Sequence, residues 1–348
     1  MPARPRPARA FPRDRSSGVQ APGGGAVSIR VLNPGMATSI QAGPRNGLRH
    51  LGVPATGALD PYSHAIANLL VGNPPGSPAL EATLAGPTLH FRDAARIALC
   101  GARMEAEVEG TILSPWRPVL LPAGATLRLG QCRSGARTYL AVAGGFAVPE
   151  VLGSRSTDLR TGFGGFAGRC LARGDVLEVA RAVPIESAGL EVGDRWINPT
   201  PDIDLERSPC PVRILSGGSD LAPPEELIHG QWEVMPASNR QGLRLKGPVM
   251  QTMHGDLLPS EPVAPGTIQL PPDGQPIILL ADAQTHGGYP RIGHVIRADR
   301  PRLAQLRPGD TLRFVPCTPE QAHLALRGQR QRLQRIALAI EARSRTHA

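Results

Sequence analysis

Short apolar runs punctuated by Gly, Pro and charged residues recur along the chain from Val27 to Pro316. In VSIRVL, PTLHF, RIALCG, EAEVEG, RPVLLP, ATLRLG, RTYLAVAG and DVLEVA, apolar residues alternate with polar ones or fill the run. That pattern predicts half-buried and buried strands. A polar, proline-rich stretch without periodicity follows at 182–208, and a second series then begins: PVRILSG, WEVM, GLRLKG, TIQLP, PIILLA, HVIRA and DTLRFVP.

Helical spacing appears in three places. Asp60 and Pro61 form an N-cap and first-turn pair ahead of a helix running to Gly72, with Ile66, Leu69 and Leu70 on one face. A short helix is predicted over Pro224 to His229. An amphipathic one over Pro319 to Ala342 carries Leu324, Leu326, Leu333, Ile336 and Ile340.

Both strand series end alike, on LARGDVLEV (171–179) and LRPGDTLRF (306–314). The repeat predicts a mainly β protein of two β-barrel-like subdomains, 27–205 and 206–318, with a C-terminal helix and tail over 319–348. The 40 Gly and 37 Pro fit the many turns this requires. No apolar run reaches the roughly 18 residues of a membrane span. Residues 1–26 are basic but lack an apolar core, so they read as a disordered arm and not a secretory signal.

The net charge of +9 is concentrated at the ends. Residues 1–26 and 320–348 each carry +4, leaving the intervening 293 residues near neutral. No broad basic face for nucleic acid is expected. Lys246 is the sole lysine, and no phosphate-loop motif surrounds it. The five cysteines are odd in number and widely spaced, which indicates reduced thiols in a cytoplasmic protein. No metal-ligand spacing occurs among the nine His.

Four polar, glycine-rich clusters could carry chemistry. They are Gln41 to Asp60 with Arg45; Gly144 to Arg169 with Ser154, Arg155, Ser156 and Thr157; Ser238 to Pro248 with Arg240; and Asp282 to Tyr289. The last follows the apolar run Pro276 to Leu280 and presents Asp282, Gln284, Thr285, His286, Gly287, Gly288 and Tyr289 on one loop. Such backbone beside Ser, Thr and Arg suits anionic or carboxylate ligands, because free N–H groups and hydroxyls donate while Arg binds bidentately. The plainer reading of each cluster is a turn whose side chains satisfy local backbone.

Taken together, HLGVPATGALDPYSHAIANLLVGNPPGSPALEATLAGPTLHF, TYLAVAGGF, VLGSRSTD, GFGGFAGR and the segment 266–314 resemble the family of the 5-oxoprolinase C subunit. This is also the biotin-dependent carboxyltransferase subdomain A/B, or kinase-inhibitor antagonist, family, and it is similar to half of the urea carboxylase carboxyltransferase domain. The resemblance implies two cyclophilin-like β-barrel subdomains and a kinase-inhibitor-like partner, the B subunit. It implies ATP-dependent activation of 5-oxoproline, with ATP and Mg as co-substrate, and ring opening to glutamate by a separate 5-oxoprolinase A subunit. It implies Asp282, Arg155, Arg240 and Tyr289 as catalytic candidates. Arg45, Ser154, Ser156, Thr157, Gln284, Thr285, His286, Gly287 and Gly288 are then the binding candidates. Two alternatives remain: biotin-dependent carboxyl transfer to urea or another amide, and a non-catalytic partner of a kinase-inhibitor-like protein. The chain departs from the family pattern at Ala42 and Asn239, where Asp is usual, at Gly217-Gly218-Ser219, and at His286.

Overall fold

The computed structural model describes residues 27–181, 189–193, 196–198, 208–216, 224–251 and 259–346, with side chains to Ala342. The expectations for 1–26, for most of 182–208 and for Gly217-Gly218-Ser219 lie outside the described residues.

The N-terminal half supplies β1 (Ser28–Asn33), β2 (Ala37–Gln41), β3 (Ala79–Thr83), β4 (Thr88–Phe91) and β5 (Ala95–Val108). It continues with β6 (Thr111–Ile112), β7 (Pro118–Leu121), β8 (Thr126–Val142), β9 (Val176–Glu178) and β10 (Glu191–Val192). These make one ten-stranded sheet in the order β10-β7-β5-β8-β4-β1-β9, with β2 and β3 attached through β8 and β6 through β5. Ile29, Val31, Leu89, Phe91, Ile97 and Leu127 are among the residues of its core.

The spine of this sheet differs from the sequence expectation. RIALCG and EAEVEG belong to one 14-residue strand, β5, and ATLRLG and RTYLAVAG to one 17-residue strand, β8. Gly101, at φ +113°, and Gly135, at φ +74°, fall where the β5–β8 register shifts. They mark bulges that bend a long hairpin, where the pattern suggested strand ends. β2 and β3 escape the hydrophobic pattern because they bury polar side chains: Thr38, Ser39, Gln41 and Glu81.

The C-terminal half is a closed seven-stranded barrel. Its strands are β11 (Cys210–Ser216), β12 (Trp232–Val234) and β13 (Gly242–Lys246), then β15 (Thr267–Gln269), β16 (Ile277–Leu279), β18 (Arg291–Val295) and β19 (Thr311–Pro316). A small ladder of β14 (Glu261–Pro262) and β17 (His286–Gly287) stands beside it. Trp232, Phe314, Val212, Ile268 and Ile278 fill the barrel, and the Trp232 indole donates to Leu227 O at 3.1 Å.

The repeated Gly-Asp segments build the same turn twice. Asp175 accepts from Ala172 N at 2.7 Å, and Asp310 from Arg307 N at 2.8 Å. Each feeds a strand that closes its half, β9 onto β1 and β19 onto β11 and β12.

Helices are few. In α1 (Pro61–Leu70) the Asp60 carboxylate accepts from Ser63 N at 2.9 Å, as the N-cap reading requires. Its Tyr62, Ile66, Ala67 and Leu70 pack on Ala98, Cys100, Tyr139 and Ala141 of β5 and β8, while Leu69 is only half-buried. Helices α2 (Glu225–His229) and α3 (Arg300–Gln305) are short. In α4 (Pro319–Thr346), Leu333, Ile336 and Ile340 pack back toward α1, and Leu324 is exposed. Among the described residues, no helix is long and apolar enough to cross a membrane.

Candidate functional site between the sheet and the barrel

The loop from Ala42 to Leu59 is the hinge of the site. It leaves β2, crosses the seam between sheet and barrel, and delivers Asp60 to α1. On one side, Arg45 is buried and donates through Nη2 to Ser156 O at 2.6 Å, through Nε to Val151 O at 3.2 Å, and through Nη1 to Thr56 Oγ1. Its guanidinium also lies 4.6 Å from the centroid of the Phe163 ring. On the other side, Thr56 N donates to Ala281 O at 3.1 Å, and Arg49 Nη2 donates to Val263 O and to Gln284 O. The turn holding Ser154 to Thr157 and the loop from Asp282 to Tyr289 therefore attach to the same segment.

Within the first turn, the hydroxyls are committed to backbone. Ser154 Oγ donates to Gly43 O at 2.6 Å, Thr157 Oγ1 to Ile40 O at 2.7 Å, and Ser156 Oγ accepts from Ala42 N at 2.9 Å. All three residues are buried, whereas Arg155 points out, 3.5 Å from Glu150. In the second loop, Thr285 Oγ1 lies 3.0 Å from His286 Nδ1, and Gln284 Nε2 donates weakly to Gln269 Oε1 at 3.4 Å. His286 and Gly287 form the edge ladder, Gly288 is half-buried, and Tyr289 is exposed.

Asp282 and Arg240 lie at the centre of a buried charge network that ties the barrel to the sheet. Arg240 donates to Asp282 through Nε at 2.7 Å and Nη2 at 3.0 Å, to Gly57 O at 2.7 Å, and through Nη1 to Glu81 of β3. Glu81 also accepts from Tyr139 Oη at 2.7 Å and Leu59 N at 3.0 Å, with Arg137 Nε at 3.8 Å. Tyr139 Oη in turn accepts from Asp60 N at 2.8 Å. Gln305 Nε2, from α3, donates to Asp60 Oδ2 at 2.9 Å.

Burial alone would push the Glu81 carboxyl upward, but the Arg240 and Arg137 guanidiniums outweigh it and hold the group below its ordinary value. Burial likewise opposes the Arg240 charge, and Glu81 with Asp282 more than restores it. Burial pushes Asp282 upward against the pull of Arg240, and the two-point geometry of the contact is that of an ionised pair. Among the described residues, Asp60 has no cationic partner of this kind, and burial raises it to about 6.

Glu81, Arg137, Tyr139 and Gln305 belong to the network but to none of the polar clusters visible in the sequence. For Glu81 the available signal was a lone acid inside the apolar stretch Ala79 to Ala82. At Asn239, the side chain accepts from Gln241 N at 2.8 Å, an Asx turn that Asp would make equally well. Ala42 is buried and lines the seam.

Beside the network is a cavity of about 440 Å³, walled by the Ala42 to Leu59 loop, the first turn of α1, residues 279–281, and Arg297 and Arg300. Its volume suits a small molecule. Among the described residues, no three His, Cys, Asp or Glu side chains come together as a metal site.

Residues 51–316 match the family described as carboxyltransferase domain, subdomain A and B. The chain belongs to that family. It is 38% identical over 319 residues to the C subunit of 5-oxoprolinase from Escherichia coli, covering 89% of this chain and 97% of the relative. It is 34% identical to a urea amidolyase of Saccharomyces cerevisiae, covering 85% of this chain but 17% of the yeast protein. The crystal structure of the K. lactis urea amidolyase superposes with a TM-score of 0.82 at 30% identity, over 89% of this chain and 20% of that one. Those alignments agree with the mainly β architecture and its closed barrel.

Proposed function

We propose that this chain is one component of a cytoplasmic, ATP-dependent 5-oxoprolinase, active together with a kinase-inhibitor-like B subunit and a ring-opening A subunit. The observation that supports the reading is coverage: the chain spans 97% of the 5-oxoprolinase C subunit it matches and only about a fifth of the two urea amidolyases. In this reading the lactam oxygen takes the γ-phosphoryl group of ATP, releasing ADP. Water then attacks the activated carbon, and the ring C–N bond opens with the nitrogen taking a proton to give γ-glutamyl phosphate. A second water hydrolyses that acyl phosphate to glutamate and phosphate.

The chain's own part is to hold the planar amide and its charge. The seam network fixes the relative placement of sheet and barrel, and so of both candidate loops. Arg155 and Tyr289 are exposed at the rims of those loops, and in this reading they meet substrate or the companion protein. Mg would enter with the nucleotide.

The test is to mix the three purified components and measure ATP hydrolysis stimulated by 5-oxoproline. Stimulation that requires this chain, and that falls in Arg155→Ala and Tyr289→Ala with unchanged thermal stability, supports the reading. No stimulation with otherwise competent partners overturns it. The fold likeness to urea amidolyase supports a second reading, carboxyl transfer from biotin to a neutral amide. Transfer from a carboxylated biotin carrier to urea, dependent on this chain, would favour that one.

A further inference from the structure

The cavity at the seam is charged from one side only. Most of its wall is Ala, Leu, Pro and Gly backbone, and no Asp or Glu lines it among the described residues. Arg297 stands at its exposed edge and Arg300, the first residue of α3, is half-buried within it. Neither forms an ion pair among the described residues, nor does Arg49 nearby. Asp299, the acid next in sequence, is fully taken by Arg213, which donates to it through N at 2.8 Å, Nε at 2.9 Å and Nη2 at 2.5 Å. Among the described residues, two buried donors have no hydrogen-bond partner in this corner, Arg300 Nε and Arg49 Nη1.

Among the described residues, the surrounding groups do not relieve the charge. Burial and then the positive neighbours Arg297 and Arg49 bring Arg300 down to about 10, still cationic at neutral pH. His64 faces the cavity, donates to Gln41 O at 3.2 Å, and is kept neutral by burial. His294, held down to about 4 by burial and by Arg300, adds no charge. A guanidinium withdrawn from water without an anion is costly, and a ligand that supplies the anion recovers that energy.

We infer that Arg300, assisted by Arg297, is a carboxylate-reading subsite that selects a small amide bearing an acid group over a neutral amide. The identification of that amide as a lactam acid rests on the proposed function, while the anion preference stands on the cavity itself. Urea has no carboxylate to offer such a site. Phosphate could engage the same guanidiniums, so the experiment must separate the two anions.

Calorimetric titration of the full-length chain alone, at low ionic strength, would use 5-oxoproline, its neutral carboxamide and inorganic phosphate. The wild type should bind the acid, and Arg300→Gln should weaken that binding about 10–100-fold, the loss expected for a charge-assisted hydrogen bond. Arg297→Gln, an exposed change that spares the core, should weaken it in the same direction. Arg313→Gln, on an exposed barrel position, should leave it unchanged. In the assembled enzyme, Arg300→Gln should raise KM for 5-oxoproline with little change in kcat.

Equal binding of acid and carboxamide, or wild-type affinity in both Arg300→Gln and Arg297→Gln, would overturn the inference, as would no acid binding by the wild type. Tighter binding of phosphate than of the acid would overturn the carboxylate assignment. An assembled enzyme that fails to turn over while the isolated chain shows the acid preference would refute the proposed function and leave the subsite standing.

Discussion

Replacing Arg240 with Met is the most direct test of what joins the two halves. Arg240 comes from the barrel side and Glu81 from the sheet, and their side chains are 12% and 1% exposed. Met keeps much of the length and apolar stem but removes the charge and all four donated hydrogen bonds. Glu81 would retain Tyr139, Leu59 N and the more distant Arg137, whereas Asp282 would lose its only ion-pair partner among the described residues. Breaking a buried pair from one side costs about 3–5 kcal/mol, because the remaining charge stays buried and uncompensated. At roughly 2–4 °C per kcal/mol, the melting temperature should fall by roughly 6–20 °C.

Differential scanning calorimetry of the full chain measures this directly. A double-mutant cycle with Asp282→Ala isolates the pair, and a coupling of about 0.5–3 kcal/mol is expected for groups in contact. A melting temperature within about 1 °C of wild type, together with additive single effects, would refute the structural role. If activity in the assembled complex were then lost, both residues would be assigned to chemistry alone.

Two further predictions follow from the same region. Asp60 titrates at about 6 in the fold against an ordinary 3.8, so the folded chain holds its proton more tightly than the unfolded one. Its contribution to stability must then fall as pH rises from about 4 to 6, by an amount on the order of 3 kcal/mol, and stay level above that. From pH 4 to 6 the urea midpoint of Asp60→Asn should fall less, or rise more, than that of wild type; an identical change would contradict the assignment. Gly168 has φ +68°, and a Cβ there would lie 2.0 Å from Gly162 O, while Gly174 has φ +91° but open space. Gly168→Ala should cost more than the about 1–3 kcal/mol of left-handed strain alone, and Gly174→Ala no more than that strain, in the same unfolding assay. Equal losses would show that the glycine turn has room to relax.

What was legible in the sequence was local. The Asp60–Pro61 cap, the paired Gly-Asp turns and the strand periods all depend on residues within a few positions of one another. They form as the pattern predicts because backbone geometry and side-chain bonding agree there. The loop from Asp282 to Tyr289 was visible for the same reason, as a polar burst after a buried strand. The seam network was not. Glu81 and Arg240 are 159 residues apart, and nothing local marks either as the other's partner. The bulged β5 and β8 were hidden for a related reason: Gly101 in a strand and glycine in a turn look alike in sequence, and only pairing decides between them.

Arginine does three different jobs at this seam, and the partner of each guanidinium says which. Arg45 spends its donors on a hydroxyl and two carbonyls, which pins one loop to another without needing an acid. Arg240 and Arg137 sit against Glu81 and Asp282, so charge is balanced where solvent is excluded and the halves stay in register. Arg297 and Arg300 have no acid among the described residues, although Asp299 is adjacent in sequence, because Arg213 holds it from the barrel. A chain with one lysine and so many arginines can sort them this way because the planar fork accepts carbonyl, carboxylate or ligand with the same geometry. Balanced guanidiniums fix the walls of the cavity, and the unbalanced pair gives those walls a preference for an anion.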